Sequence, residues 1–172
     1  MSTRQNNSFH SLEILEKNLT RVQEWIKAAD QKISILFAFE GVMITLFSVP
    51  IFQWLGSHWF LFSFLSTLTC VASFFLLSWG FIKLIFSLAP QISRTYDKKS
   101  LIFFGDIAKV SLQEYSVAVD EMTEVQYRED LIEQIFTSSQ IALIKHKSFK
   151  ESLYFFVWGV FMLAVTYLSS FL

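Results

Sequence analysis

The chain has 172 residues, 14 of them Lys or Arg and 15 Asp or Glu, for a formal net charge of −1. Hydrophobic residues make up 53% and charged residues 17%, against about 25% charged in an ordinary globular domain. This balance excludes nucleic acid as a bulk electrostatic partner, and the length allows one compact unit rather than a membrane module with a large separate domain. Cys70 is the only cysteine and lies in an apolar run, which excludes an intrachain disulfide and a cysteine-rich metal site.

The N-terminal region is polar and amphipathic, with no apolar core or small-residue cleavage site, so no signal peptide is expected. Residues 9–31 read as a helix in which Leu12, Leu15, Leu19, Val22, Ile26 and Ala29 form one apolar seam at alternating steps of three and four. The seam suits packing on the chain's own cytoplasmic helices or self-association. No Pro or Gly intervenes before the first apolar run, so one helix is expected to continue from water into lipid.

Between Gly41 and Ile82, and again from Ser152 to the C-terminus, there is no Asp, Glu, Lys or Arg. Each stretch is long enough for a bilayer core of about 30 Å. The first divides at Gln53–His58, a polar segment flanked by Trp54 and Trp59, and tryptophan favours the membrane–water boundary. The fold class is therefore an all-α integral membrane protein with three transmembrane helices at about 33–54, 59–82 and 152–172. The divisions are a cytoplasmic amphipathic helix (1–32), a transmembrane hairpin (33–82), a cytoplasmic helical region (83–151) and a last transmembrane helix (152–172).

Glu40 stands out in this setting. Carboxyl groups at such depth are costly and face a bundle interior or a water-filled path. Two roles are open: a packing or assembly contact, with Ser73 or Ser78 as partner, and a place in a permeation path. Counting outward from the turn by equal rise sets Lys83 opposite Asp30–Gln31, which makes Asp30 and Lys83 a candidate interfacial pair. The alternative is a Lys83 that reaches lipid phosphates alone.

Pro90 bounds the second span. Ser111-x-x-Glu114 is a capping box that opens a helix through about Met122, and Thr123-x-x-Gln126 opens another. The last helix has apolar positions at Ile132, Ile135, Phe136, Ala142, Leu143 and Phe149 and no breaker before Gly159. Lys145, His146, Lys147 and Lys150 precede the third span and suit anchoring on anionic lipid, worth about 1 kcal/mol per basic residue. An anionic ligand such as a phosphate is the other reading of that cluster. All fourteen basic residues fall before the first span or between the second and third, which predicts a cytoplasmic N-terminus and an external C-terminus.

No catalytic constellation, phosphate loop or metal motif is present, and His10, His58 and His146 fall on different sides of the predicted membrane. The chain is not expected to be an enzyme, to hold a metal or to use a cofactor.

The order Trp25-Ile26-x-x-Ala29-Asp30-x-Lys32, Phe103-Phe104-Gly105-Asp106-Ile107-Ala108, Glu114-Tyr115, Gln134-Ile135 and Ile141-Ala142-x-x-Lys145 around three spans resembles the small transmembrane effectors of bacterial Pycsar anti-phage systems. The likeness extends over about 25–150 and the last span. It implies an effector in the bacterial inner membrane, activated by cyclic CMP or cyclic UMP from a pyrimidine cyclase and impairing the membrane so that the infected cell dies. It also implies the lipid bilayer, the nucleotide and further copies of the chain as partners. The chain departs from soluble nucleotide-sensing effectors in having no recognisable β-roll with a phosphate-binding cassette. By position, the resemblance makes Asp30, Lys32, Gly105, Asp106, Tyr115 and Lys145 the motif residues to test for ligand binding, each with a structural role as the alternative. The rival expectations are a constitutive holin-like pore-former without a ligand and a non-toxic anchor recruiting a soluble partner through the Leu12–Ala29 seam.

Overall fold

Apolar runs in lipid must close their backbone hydrogen bonds internally, and helices do so within a single segment. The computed structural model describes residues 2–58, 64–89 and 100–169, with side chains placed for 11–48, 66–89 and 100–168. It contains α1 (Ser2–His58), α2 (Phe64–Leu88), α3 (Phe104–Ile107), α4 (Leu112–Asp120) and α5 (Glu124–Ser169), and no strand among the described residues. Three of these helices, α1, α2 and α5, are long and apolar enough to cross a membrane.

Two compact units form. One contains Met1–Ala28 and Pro90–Ile144, the other Ala29–Ala89 and Lys145–Leu172. In the first, the seam of α1 is used within the chain, with Leu19 and Val22 buried. Ser111 caps α4 as expected, accepting from the Glu114 amide while the Glu114 carboxylate accepts from the Ser111 amide. Thr123 and Gln126 exchange the same pair of bonds at the start of α5.

Two sequence expectations need correction. Gln53–His58 is helical, because α1 continues to His58 and α2 begins only at Phe64. Gln, Leu, Ser and His all tolerate a helix, and the lone Gly56 costs only about 1 kcal/mol; Trp59 lies outside the described residues. The apolar stripe on α5 holds only in part: Ala142 is buried and Ile135 and Phe149 are half-buried, while Ile132, Phe136 and Leu143 are exposed and Leu131 is buried. Each exposed position adjoins one on the covered face, and periodicity alone does not choose between them.

The second unit is a bundle of α1, α2 and α5 with its polarity reversed relative to a water-soluble one. Ile35, Phe39, Phe75, Phe86, Trp158 and Phe161 point outward. A small apolar cluster of Ile33, Leu36 and Leu84, with Phe37, Leu88, Phe149 and Phe156 around it, packs toward one end. Phe37 stacks on Phe81 with ring centroids 4.5 Å apart.

Apart from Leu77 and Leu163, the rest of the interior is a seam of small and polar residues. On α2 it comprises Ser66, Ser73, Gly80 and Ser87, and on α5 Lys145, Ser152, Gly159 and Thr166, every seventh residue on each helix and all buried. A seven-residue repeat keeps its members facing one partner when helices cross at a shallow angle. The two series run antiparallel and are level at the Lys145 end, while farther along Gly159 meets Leu77 and Thr166 meets Thr69, three or four residues on from Ser73 and Ser66. Lys145 reaches the Ser87 carbonyl at 3.2 Å, a Cβ on Gly80 would lie 3.4 Å from the Ser152 carbonyl oxygen, and the Thr166 and Thr69 hydroxyls are hydrogen-bonded at 2.9 Å.

Gly159 is what lets α2 and α5 close, because a Cβ there would meet the Leu77 side chain at 2.7 Å. We expect Gly159→Ala to lower thermal stability in detergent by about 1–3 kcal/mol through overpacking. Adding Leu77→Ala, which removes the obstructing atoms, should recover part of that loss in the same melting measurement.

Candidate functional site

In the first unit the residues gather on a short stretch of backbone. The amides of Ser100, Leu101, Ile102 and Phe103 all donate to side chains. Ser100 donates to Asp106 Oδ2 (3.0 Å), Leu101 to Asp130 Oδ2 (3.0 Å), and Ile102 and Phe103 to Ser100 Oγ (3.1 and 3.0 Å). The Tyr115 hydroxyl donates to the Leu101 carbonyl at 3.2 Å, and the Gln134 amide donates to Ser100 Oγ at 3.4 Å. A Cβ on Gly105 would strike the Phe103 ring at 2.6 Å. Gly105, Asp106 and Tyr115 therefore come together, and each holds this segment in shape.

Beside it lies a cavity of about 260 Å³, lined by Leu101, Ala118 and Met122 and by the polar groups of Glu121, Gln126, Asp130 and Glu133. Its three carboxyl groups present the wrong sign for a phosphodiester, while they suit the amino donors of a base edge. Nearby, the Tyr127 hydroxyl donates to Glu16 Oε1 at 2.8 Å, and burial, followed by that hydrogen bond, pushes the phenol above its usual pKa.

In the second unit Asp30 and Lys145 meet at 2.5 Å, with the ammonium also donating to the Ser87 carbonyl. One residue from each of the three helices is thus tied at a single buried cation. This changes the reading of the basic cluster: His146, Lys147 and Lys150 are exposed, whereas Lys145 is buried and committed to Asp30. Lys32 is exposed on α1.

The expected Asp30–Lys83 pair does not form. Lys83 is hydrogen-bonded to Glu151 of α5 and lies 5.7 Å from the centre of the Phe155 ring. The equal-rise count placed the turn too early. With α1 running to His58, Lys83 falls level with residues near Leu36, about 9 Å along the helix from Asp30 at 1.5 Å per residue. Glu151 was legible as the acidic residue adjoining the third apolar run, and Asp130 and Ser100 carried no comparable signal.

Glu40 is fully buried and neither of its carboxyl oxygens has a hydrogen-bond partner. Ser73, one suggested partner, donates instead to the Cys70 carbonyl at 2.7 Å, and Ser78, the other, is exposed. Glu40 Oε1 packs against Gly80, 3.0 Å from where a Cβ would be.

Three spans, a polar helical unit and this ordered set of residues agree with one family. The model described as PycTM, Pycsar effector protein domain, matches residues 14–170. The chain belongs to the Pycsar effector protein domain family. It is accordingly a membrane effector of anti-phage defence. No match to it was found among curated proteins or solved structures. Within this effector, the Asp30–Lys145 tie joins all three spanning helices.

Replacing Asp30 with Asn strands a buried ammonium. We expect a loss of about 2–3 kcal/mol in unfolding experiments, below the value for a fully buried pair because Asp30 stays partly exposed. Asp30→Asn combined with Lys145→Met, which removes the stranded charge, should regain most of it.

Proposed function

We propose that this effector sits in the bacterial inner membrane with its N-terminus cytoplasmic and is activated there by cyclic CMP or cyclic UMP. Activated copies assemble and impair the membrane, and the infected cell dies before phage mature. Membership of the Pycsar effector family over nearly the whole chain carries this reading. The distribution of all fourteen basic residues around the first two spans and before the third supports the orientation.

The physical route is a change in helix packing. A ligand that favours one packing of the cytoplasmic helices shifts the population by its differential affinity for the two packings, and by no more. Asp106 and Tyr115 already hold backbone, so nucleotide contact through either would act by releasing or tightening the Ser100–Phe103 segment. Asp30 and Lys145 would act by loosening the tie between the spans. Lys32, exposed and cationic, is the motif residue suited to direct contact with a phosphate. Gly105 serves by letting Phe103 pack.

Two measurements check the reading. In proteoliposomes, cyclic CMP or cyclic UMP should raise the release of ions or of dye over the nucleotide-free protein, and equal release in both arms would sink direct gating in favour of a constitutive pore. A phosphatase fused after Leu172 should be active in intact cells, as only an external C-terminus allows; an inactive fusion at normal expression overturns the orientation.

A further inference from the structure

The interior seam of the second unit contains more polar groups than holding helices together requires. Hydroxyls and small residues between spanning helices act as glue when they are hydrogen-bonded or allow close approach. Thr69 with Thr166, Ser73 with the Cys70 carbonyl, and the two glycines fit that role. Glu40 does not. It is wholly buried, both its oxygens are without partners, and the Ser152 and Ser87 hydroxyls in the same seam are likewise unpartnered. In the closed bundle these groups contribute nothing to cohesion and carry a desolvation cost.

The cost is removed when the seam fills with water. A path along it would have hydroxyl, carbonyl and glycine walls interrupted by Leu77 and Leu163, whereas hydrocarbon and aromatic rings dominate the outer faces of the same helices. Its charge would not be balanced. Lys145 is neutralised by Asp30, and Lys83 is paired with Glu151, so among the described residues of the three helices' seam Glu40 supplies the net charge. Carboxylates lining a pore favour cations, and repetition in an assembly multiplies the effect.

We propose that the seam between α1, α2 and α5 is a latent cation path and that Glu40 is the group that selects cations when the helices part. The inference rests on the effector reading above and goes beyond it, replacing general damage with selective conduction. In the closed form the path is shut because Gly80 and Gly159 bring the helices within contact.

The test uses full-length protein in planar bilayers under a potassium chloride gradient, with cyclic CMP or cyclic UMP on the cytoplasmic face. The wild-type reversal potential should lie toward the potassium limit. Glu40→Gln should conduct but lose its preference for potassium over chloride, and Glu40→Lys should favour chloride. An unchanged reversal potential in Glu40→Gln overturns the path. Should that variant conduct nothing, a second readout applies: Ser152→Cys in a Cys70→Ala background should react faster with a cationic thiol reagent than with an anionic one once nucleotide is added. Absence of reaction, or equal rates, overturns the path as well. Conductance that is unselective in the wild type overturns only this inference, whereas no conductance or leakage in any arm overturns the effector reading with it.

Discussion

The structure of the membrane unit depends on the fact that lipid removes the usual reason for helices to pack. Burying Leu or Phe between spans gains nothing over leaving it in hydrocarbon, so association must come from close contact and polar bonds. The seven-residue series on α2 and α5 supplies both. Its glycines bring backbones together, and at Lys145 it ends in a buried cation that binds an acid on α1 and a carbonyl on α2. Many of the aromatic and aliphatic residues of these helices are left facing outward.

That arrangement also makes the interior the polar part of the unit. A bundle held by such a seam has two plausible uses for it, cohesion and conduction, and individual residues sort between them by whether they are bonded. Thr166 and Lys145 are bonded; Glu40 is not. The proposed gating requires a closed state that is stable and an open state within reach. An unpartnered carboxyl in the core narrows the gap between them, because its hydration favours opening. Cohesion at Lys145 and Gly159 opposes it.

The polar unit follows the opposite rule. Backbone groups shielded from water outside helices need partners, and the half-buried Ser100–Phe103 stretch finds them in side chains of α3, α4 and α5. Asp106, Asp130 and Tyr115 are therefore positioned by the backbone they hold. The motif around Gly105 and Asp106 thus has a structural role, and anything that competes for these bonds alters the segment's shape. The acidic cavity alongside favours donor groups over phosphate oxygens.

The sequence by itself determined the class of the protein, because two charge-free runs admit only spanning helices and capping boxes at Ser111 and Thr123 need only local residues. It also exposed Glu40 as anomalous, since an acid beside an apolar run is visible without coordinates. What it left undecided was everything that depends on register between helices. Lys83 pairs with Glu151 and Asp30 with Lys145 because α1 extends past the expected turn, a shift of under two helical turns that local sequence does not encode. The seam was present as a spacing, one Ser, Gly, Lys or Thr in seven, but each member alone looks like an ordinary small residue in a hydrophobic run. Only the packing of α2 against α5 turned that spacing into an interior, since a repeat acquires a direction when a second helix covers it.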